Sequence, residues 1–191
     1  MGFGRVNIEM QNALNTYFKE QAELEGDCLV DYVQFDNQYE KVFENIPVGE
    51  AEAVIEPRGG TALLDAIGRG ATELGEKLKA MRPAKRPGTV LVVVVTDGHE
   101  NASKEWNSDM VKELVRKQED NYNWEFVFLG ANIDAVATGA LYGFKGSNSM
   151  SYDTKYTGQT VAALSNFSTV TRGGGKAAFS DDDRKNAMGK S

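Results

Sequence analysis

Thr89-Val90-Leu91-Val92-Val93-Val94-Val95-Thr96-Asp97-Gly98 is the stretch that decides the fold. An apolar run with no polar alternation, ended by an Asp-Gly turn, reads as a strand buried on both faces in the middle of a parallel sheet. Downstream, Lys104 to Asp120 has helical spacing and Trp124 to Leu129 is a second buried-type strand, which together make a strand-helix-strand unit. Ile133 to Tyr142 reads as a short helix, Ser147 to Tyr152 as a last short strand, and Thr157 to Thr171 as a final helix. Upstream, a helix over about Ala62 to Ala80 is broken by the segment from Arg82-Pro83 to Pro87-Gly88.

The N-terminal third fits the same alternation. Ile8, Met10, Ala13, Leu14, Phe18 and Ala22 fall mostly three or four apart, so Val6 to Glu23 reads as an amphipathic helix that Glu25-Gly26-Asp27 stops. Cys28 to Phe35 and Tyr39 to Phe43 flank an Asp36-Asn37 turn and predict an antiparallel hairpin. An acidic, irregular stretch then runs from Ile46-Pro47 to Glu56-Pro57. Residues 172–191 read as a flexible tail opened by Gly173-Gly174-Gly175, in which Ser180 could cap a short helix. The whole predicts an α/β protein: a doubly wound, Rossmann-like, mostly parallel sheet with helices on both faces, over residues 1–171. In such folds function gathers at the carboxyl ends of the strands.

Composition narrows the partners. The 191 residues suit one domain, with 41% hydrophobic and 26% charged residues. Acidic residues outnumber basic ones by 28 to 21, for a net charge of −7, which argues against nucleic acid or an anionic membrane as partner. No run approaches the roughly 18 apolar residues of a membrane span, and no signal peptide is visible, so a cytoplasmic setting is expected. Cys28 is the single cysteine and reads as a small core residue. His99 is the single histidine, which excludes a multi-histidine metal site and disfavours a His-based catalytic triad. Nucleotide motifs fail on spacing: Gly68-Arg69-Gly70 lies inside a helix, and Arg184 stands where a P-loop ending at Gly189-Lys190-Ser191 would need glycine.

Two loops could carry chemistry. Asp97 falls at the carboxyl edge of the Val-rich strand, and Gly59-Gly60-Thr61 brings a hydroxyl to the start of a helix. A carboxylate and a hydroxyl are oxygen ligands suited to Mg²⁺, which keeps several waters and needs one or two carboxylates. By themselves they serve equally well as a turn residue (Asp97) and a helix cap (Thr61).

In order, spacing and context, Gly59-Gly60-Thr61-Ala62-Leu63-Leu64-Asp65-Ala66-Ile67, then Val92 to Gly98, resembles von Willebrand A domains of bacterial and phage type. The Val33-Gln34-Phe35-Asp36 hairpin is similar too. The resemblance implies a non-enzymatic protein-interaction module with a metal-ion-dependent adhesion site and no catalytic residues. Thr61 and Asp97 match two of that site's three ligand loops. Gly60, Asp65, Gly98, His99 and Glu100 would form its rim or surroundings, with Asn101 and Arg58 nearby. Mg²⁺ or Mn²⁺ would bridge to the acidic side chain of a partner protein; the alternatives are a metal-independent interaction scaffold of the same fold and, ranked last, a small Rossmann-like hydrolase with only His99 and Glu100 as candidate groups near Asp97.

The third loop of the family, D-x-S-x-S after a central first strand, is absent from the sequence. Family members often read D-x-S-G-S-M before the first helix, so Met1 matches the Met after the missing serine. The expectation is therefore a strand encoded upstream, and low metal occupancy without it. That strand would lie between Cys28–Phe35 and Thr89–Val95. Five or six buried apolar side chains at about 1.5–3 kcal/mol each rival the whole stability of a domain, so its loss implies poor solubility. Without it, the flanking strands must pair directly or take a strand from a partner.

Overall fold

The computed structural model describes residues 3–56 and 59–190. Met1 and Arg58 lie outside the described residues, and with them the readings placed on those two positions.

Among the described residues, five strands form two separate sheets. Strands β1 (Leu29–Phe35) and β2 (Tyr39–Pro47) make an antiparallel pair, with register irregularities around Tyr32. Strands β3 (Val90–Thr96), β4 (Trp124–Ala131) and β5 (Ser149–Tyr152) make a parallel sheet in that order. The helices are α1 (Phe3–Ala22), α2 (Leu63–Ala80), α3 (Ser108–Tyr122), α4 (Ala135–Leu141), α5 (Thr157–Arg172) and α6 (Asp181–Ala187).

The period-two alternation of the strands divides the core into two layers. On one face of the parallel sheet Val90, Val92, Val94, Phe126 and Phe128 meet α2, α3 and Phe144. On the other, Leu91, Val93, Val95, Val127 and Leu129 meet α1, α5 and the chain after Gly175. The fold is therefore α/β with helices on both faces of a parallel sheet. A third cluster joins Phe18 of α1 to Val30, Tyr32 and Phe43 of the hairpin, with Leu14 and Tyr17 shared between the second and third clusters.

Strand β3 departs from its expected place. Its run of valines predicts the middle of a sheet, yet among the described residues it pairs with β4 on one side only and so lies at an edge. Phe126 to Leu129 of β4 are fully buried, whereas Val90 to Val93 and Val95 of β3 are half-exposed. Both faces of β3 are covered by helices, so the exposure comes from its open edge. Nor does β3 pair with β1: the two strands make no backbone hydrogen bond to each other among the described residues.

Two boundaries moved for local reasons. Helix α3 starts at Ser108 rather than Lys104, because Asn107 caps it through Met110 N–H (3.0 Å) and the preceding N–H groups are bound elsewhere. The segment expected as a flexible tail carries a docked helix. Phe179 packs on Phe167 with ring centroids 5.1 Å apart, Ala187 is fully buried, and Arg184 donates to the carbonyls of Ser149 (2.6 Å) and Gly146 (2.8 Å). Ser180 and Asp183 close a capping box at the start of α6.

Candidate functional site

Three loops converge at the carboxyl ends of β1 and β3. The first is the Asp36-Asn37 turn after β1, the second runs from Gly59 to Ala62 before α2, and the third from Asp97 to Asn107 after β3. Backbone and amide hydrogen bonds set their mutual position. Ala62 N–H donates to the Asp36 carbonyl (2.8 Å). Thr61 and Asn101 make a reciprocal pair, Thr61 N–H to Asn101 Oδ1 (3.0 Å) and Asn101 N–H to the Thr61 carbonyl (3.1 Å). Gly60 allows the first two loops to touch, since a Cβ there would stand 1.8 Å from Asn37 Oδ1.

The start of α2 is capped from outside the helix. Its N-cap, Ala62, has no side chain able to accept, and Thr61 does not substitute for it. Glu100 Oε2 instead accepts Leu64 N–H (2.9 Å) and Ser103 Oγ accepts Asp65 N–H (3.1 Å). Glu100 also accepts from Ala102 N–H (3.0 Å), Ser103 N–H (2.8 Å) and the Ser103 hydroxyl (2.7 Å). Asp65 returns the connection by accepting the N–H groups of Lys104 (2.8 Å), Glu105 (3.0 Å) and Trp106 (2.8 Å).

These contacts set the electrostatics of both carboxylates. Burial alone raises the Glu100 carboxyl, but the donors of Leu64, Ser103 and Ala102 outweigh it and hold the group below the ordinary value. Asp65 behaves alike: burial raises it, and the N–H groups of Lys104, Trp106 and Glu105 bring it lower. Both groups therefore stay ionised and committed to holding the loop after β3 against α2.

Asp97 and Thr61 are placed differently. Asp97 is exposed at the end of β3, and its carboxylate makes no hydrogen bond or ion pair among the described residues. The Thr61 hydroxyl is likewise unbonded among them and adjoins the same loop, 3.0 Å from where a Cβ on Gly98 would lie. Thr96 fixes the turn beneath: its hydroxyl donates to the Gly98 carbonyl (3.0 Å) and accepts Gly98 N–H (3.2 Å). His99 is exposed on the same loop. Tyr152, at the end of β5, lies almost fully buried nearby, and its hydroxyl titrates above the ordinary value through burial and then the charge of Asp97.

Thr61, Gly60, Gly98 and Asp97 thus belong to adjoining loops, with Asp65, Glu100 and Asn101 bracing them and His99 exposed beside them. Sequence reasoning missed Ser103, Trp106 and Tyr152. The Ser103 and Trp106 contacts span 38 and 41 residues in sequence and no local pattern signals them. Tyr152 ends a predicted strand at the same carboxyl end of the sheet as Asp97, and that position is a usable signal.

Among the described residues, no group of three or more His, Cys, Asp or Glu side chains is placed to hold a metal, and no helix is long and apolar enough to cross a membrane. No protein-family model, curated protein or solved structure matches the chain.

Proposed function

We propose that the chain is a non-enzymatic protein-interaction module in which Thr61 and Asp97 supply two oxygen ligands to a Mg²⁺ or Mn²⁺ ion. A partner's Asp or Glu carboxylate would take an open coordination position. One observation carries the reading: Asp97 and Thr61 present uncommitted oxygens on adjoining loops, while the neighbouring Asp65 and Glu100 carboxylates are consumed in bracing those loops. Mg²⁺ takes about six oxygens, so two protein ligands leave the shell to water, the partner and a further ligand segment. The net charge of −7 agrees with attraction of a cation, and a cytoplasmic setting agrees with the single free Cys28.

Calorimetric titration of the chain with MgCl₂ and MnCl₂ tests this, with Asp97→Ala and Thr61→Ala as the variants. The expected result is weak binding that Asp97→Ala abolishes and Thr61→Ala weakens. Binding that both variants leave unchanged refutes it.

A second reading, a metal-independent interaction scaffold of the same fold, is favoured by the donor count at the loops. Asp97 and Thr61 alone make a poor cage for a divalent ion. It predicts partner binding that persists when the ion is chelated.

A further inference from the structure

The parallel register of β3, β4 and β5 brings three residues level at their carboxyl ends. Thr96 pairs with Gly130 and Ala131 with Tyr152, so Asp97, one row beyond Thr96, stands abreast of Ala131 and Tyr152. Strand alternation puts all three on the face covered by α1 and α5. Val95, Leu129 and Met150, two residues earlier on each strand, pack in that layer, as do Ala131 and Tyr152. Two strand spacings, about 10 Å, separate the main chains at Asp97 and Tyr152. Between them Ala131 is fully buried and carries only a methyl group, which leaves the span to the tyrosine ring. After burial, the charge of Asp97 is the next influence on the Tyr152 hydroxyl, so the two groups are close.

Packing accounts for the ring and not for the hydroxyl. Tyr152 is 3% exposed, and a tyrosine so buried ordinarily finds a partner for its O–H, because an unpaired polar group in the interior costs free energy. The Tyr152 hydroxyl makes no hydrogen bond among the described residues. Nor is it sealed in, since Glu119 Oε1 is the one fully buried side-chain oxygen without a partner among them. Phenylalanine would fill the same space without that cost. Thr61 leads into α2 on the opposite face of the sheet, so the two unbonded hydroxyls flank Asp97.

We propose that Tyr152 determines specificity at the Asp97 site: its hydroxyl donates a hydrogen bond to the Glu or Asp carboxylate of another protein as that carboxylate reaches the ion. The inference rests on the proposed ion at Thr61 and Asp97, since without it the Asp97 charge would repel an incoming carboxylate. A bond from a neutral O–H to an ionised oxygen is roughly twice as strong as one between neutral groups, and it fixes the direction of approach. A partner amide would accept the same bond more weakly. Tyr152 therefore selects glutamate and aspartate over glutamine and asparagine.

The test uses the 191-residue chain, TbCl₃ as a luminescent, oxygen-seeking stand-in for Mg²⁺, and the blocked peptides acetyl-Gly-Glu-Gly-amide and acetyl-Gly-Gln-Gly-amide. A peptide carboxylate that displaces water from the bound ion lengthens the Tb³⁺ emission lifetime. The expected result is a longer lifetime with the Glu peptide and not the Gln peptide. Tyr152→Phe should weaken Glu-peptide binding about tenfold and leave the affinity for Tb³⁺ itself unchanged. Its urea midpoint should equal or exceed that of the parent, because the hydroxyl removed makes no bond within the chain. Tyr122→Phe, exposed at the end of α3, should change neither reading. Three results overturn this inference alone: equal Glu-peptide affinity in Tyr152→Phe and parent, an ion-bound parent that does not take the Glu peptide, or a loss of stability in Tyr152→Phe. A parent chain that binds no ion, or ion binding that Asp97→Ala leaves intact, overturns the metal reading and this inference with it.

Discussion

Gly68 sits within α2, buried, with the ring of Trp106 lying across it. Helix propensity alone says that Gly68→Ala should stabilise the protein by about 0.8–1 kcal/mol. The packing says the opposite. A Cβ at residue 68 would stand 2.0 Å from Trp106 Cδ2, 2.4 Å from Cε2 and 2.5 Å from Cε3. The main chain that carries the indole cannot withdraw freely, since the backbone N–H of Trp106 is held by Asp65 Oδ1 at 2.8 Å. Overpacking of this kind costs about 1–3 kcal/mol. Set against the propensity gain, the expected net is a loss of up to about 2 kcal/mol, or a fall in melting temperature of up to about 8 °C for a chain of this size. Gly70 is the control on the same helix. Its Cβ would meet only the far end of the Tyr39 side chain, at 3.3 Å, so Gly70→Ala should be neutral to stabilising. In a Trp106→Ala background the sign at residue 68 should reverse, because the obstruction is gone. Urea unfolding of the single variants and the double variant reads all three outcomes. A Gly68→Ala substitution that stabilises whether or not Trp106 is present refutes this account of the loop.

Two further expectations follow from the same packing. The Asp65 and Glu100 carboxyls both titrate below their ordinary values in the folded chain, so the stability they contribute is complete above the unfolded carboxylate range. It is lost as the pH falls from that range through the lowered folded values, and Glu100→Gln should flatten the acid limb of a stability profile taken between about pH 6 and 3. An unchanged limb would show that other carboxylates control acid unfolding. Separately, Phe179→Ala should cost about 3 kcal/mol and expose α6 to proteolysis, since Phe179 is 6% exposed and packs its ring against Phe167. Cleavage after Gly175 at the rate of the parent chain would contradict the docking of α6.

The sequence alone determined the inventory of the fold and the position of the candidate loops. Helical and strand periodicity are local properties, so α1, α2, the hairpin and the Val-rich strand are all legible from residues a few positions apart. The same holds for Thr61 before a helix and Asp97 after a strand, since in an α/β sheet the strand ends carry the loops. Tertiary structure alone decided what those elements do to each other. An apolar run such as Val90 to Val95 states that it wants neighbours on both sides, but not whether they are present, and β3 stands at an edge with one. Asp65 and Glu100 look alike as carboxylates beside the loops, and only their bonds across 36 to 41 residues show both spent on bracing. Asp97 and Thr61 are distinguished by the opposite result, oxygens left uncommitted at the same place. Commitment of a polar group depends on donors brought from distant sequence, and that is settled by packing rather than by spacing.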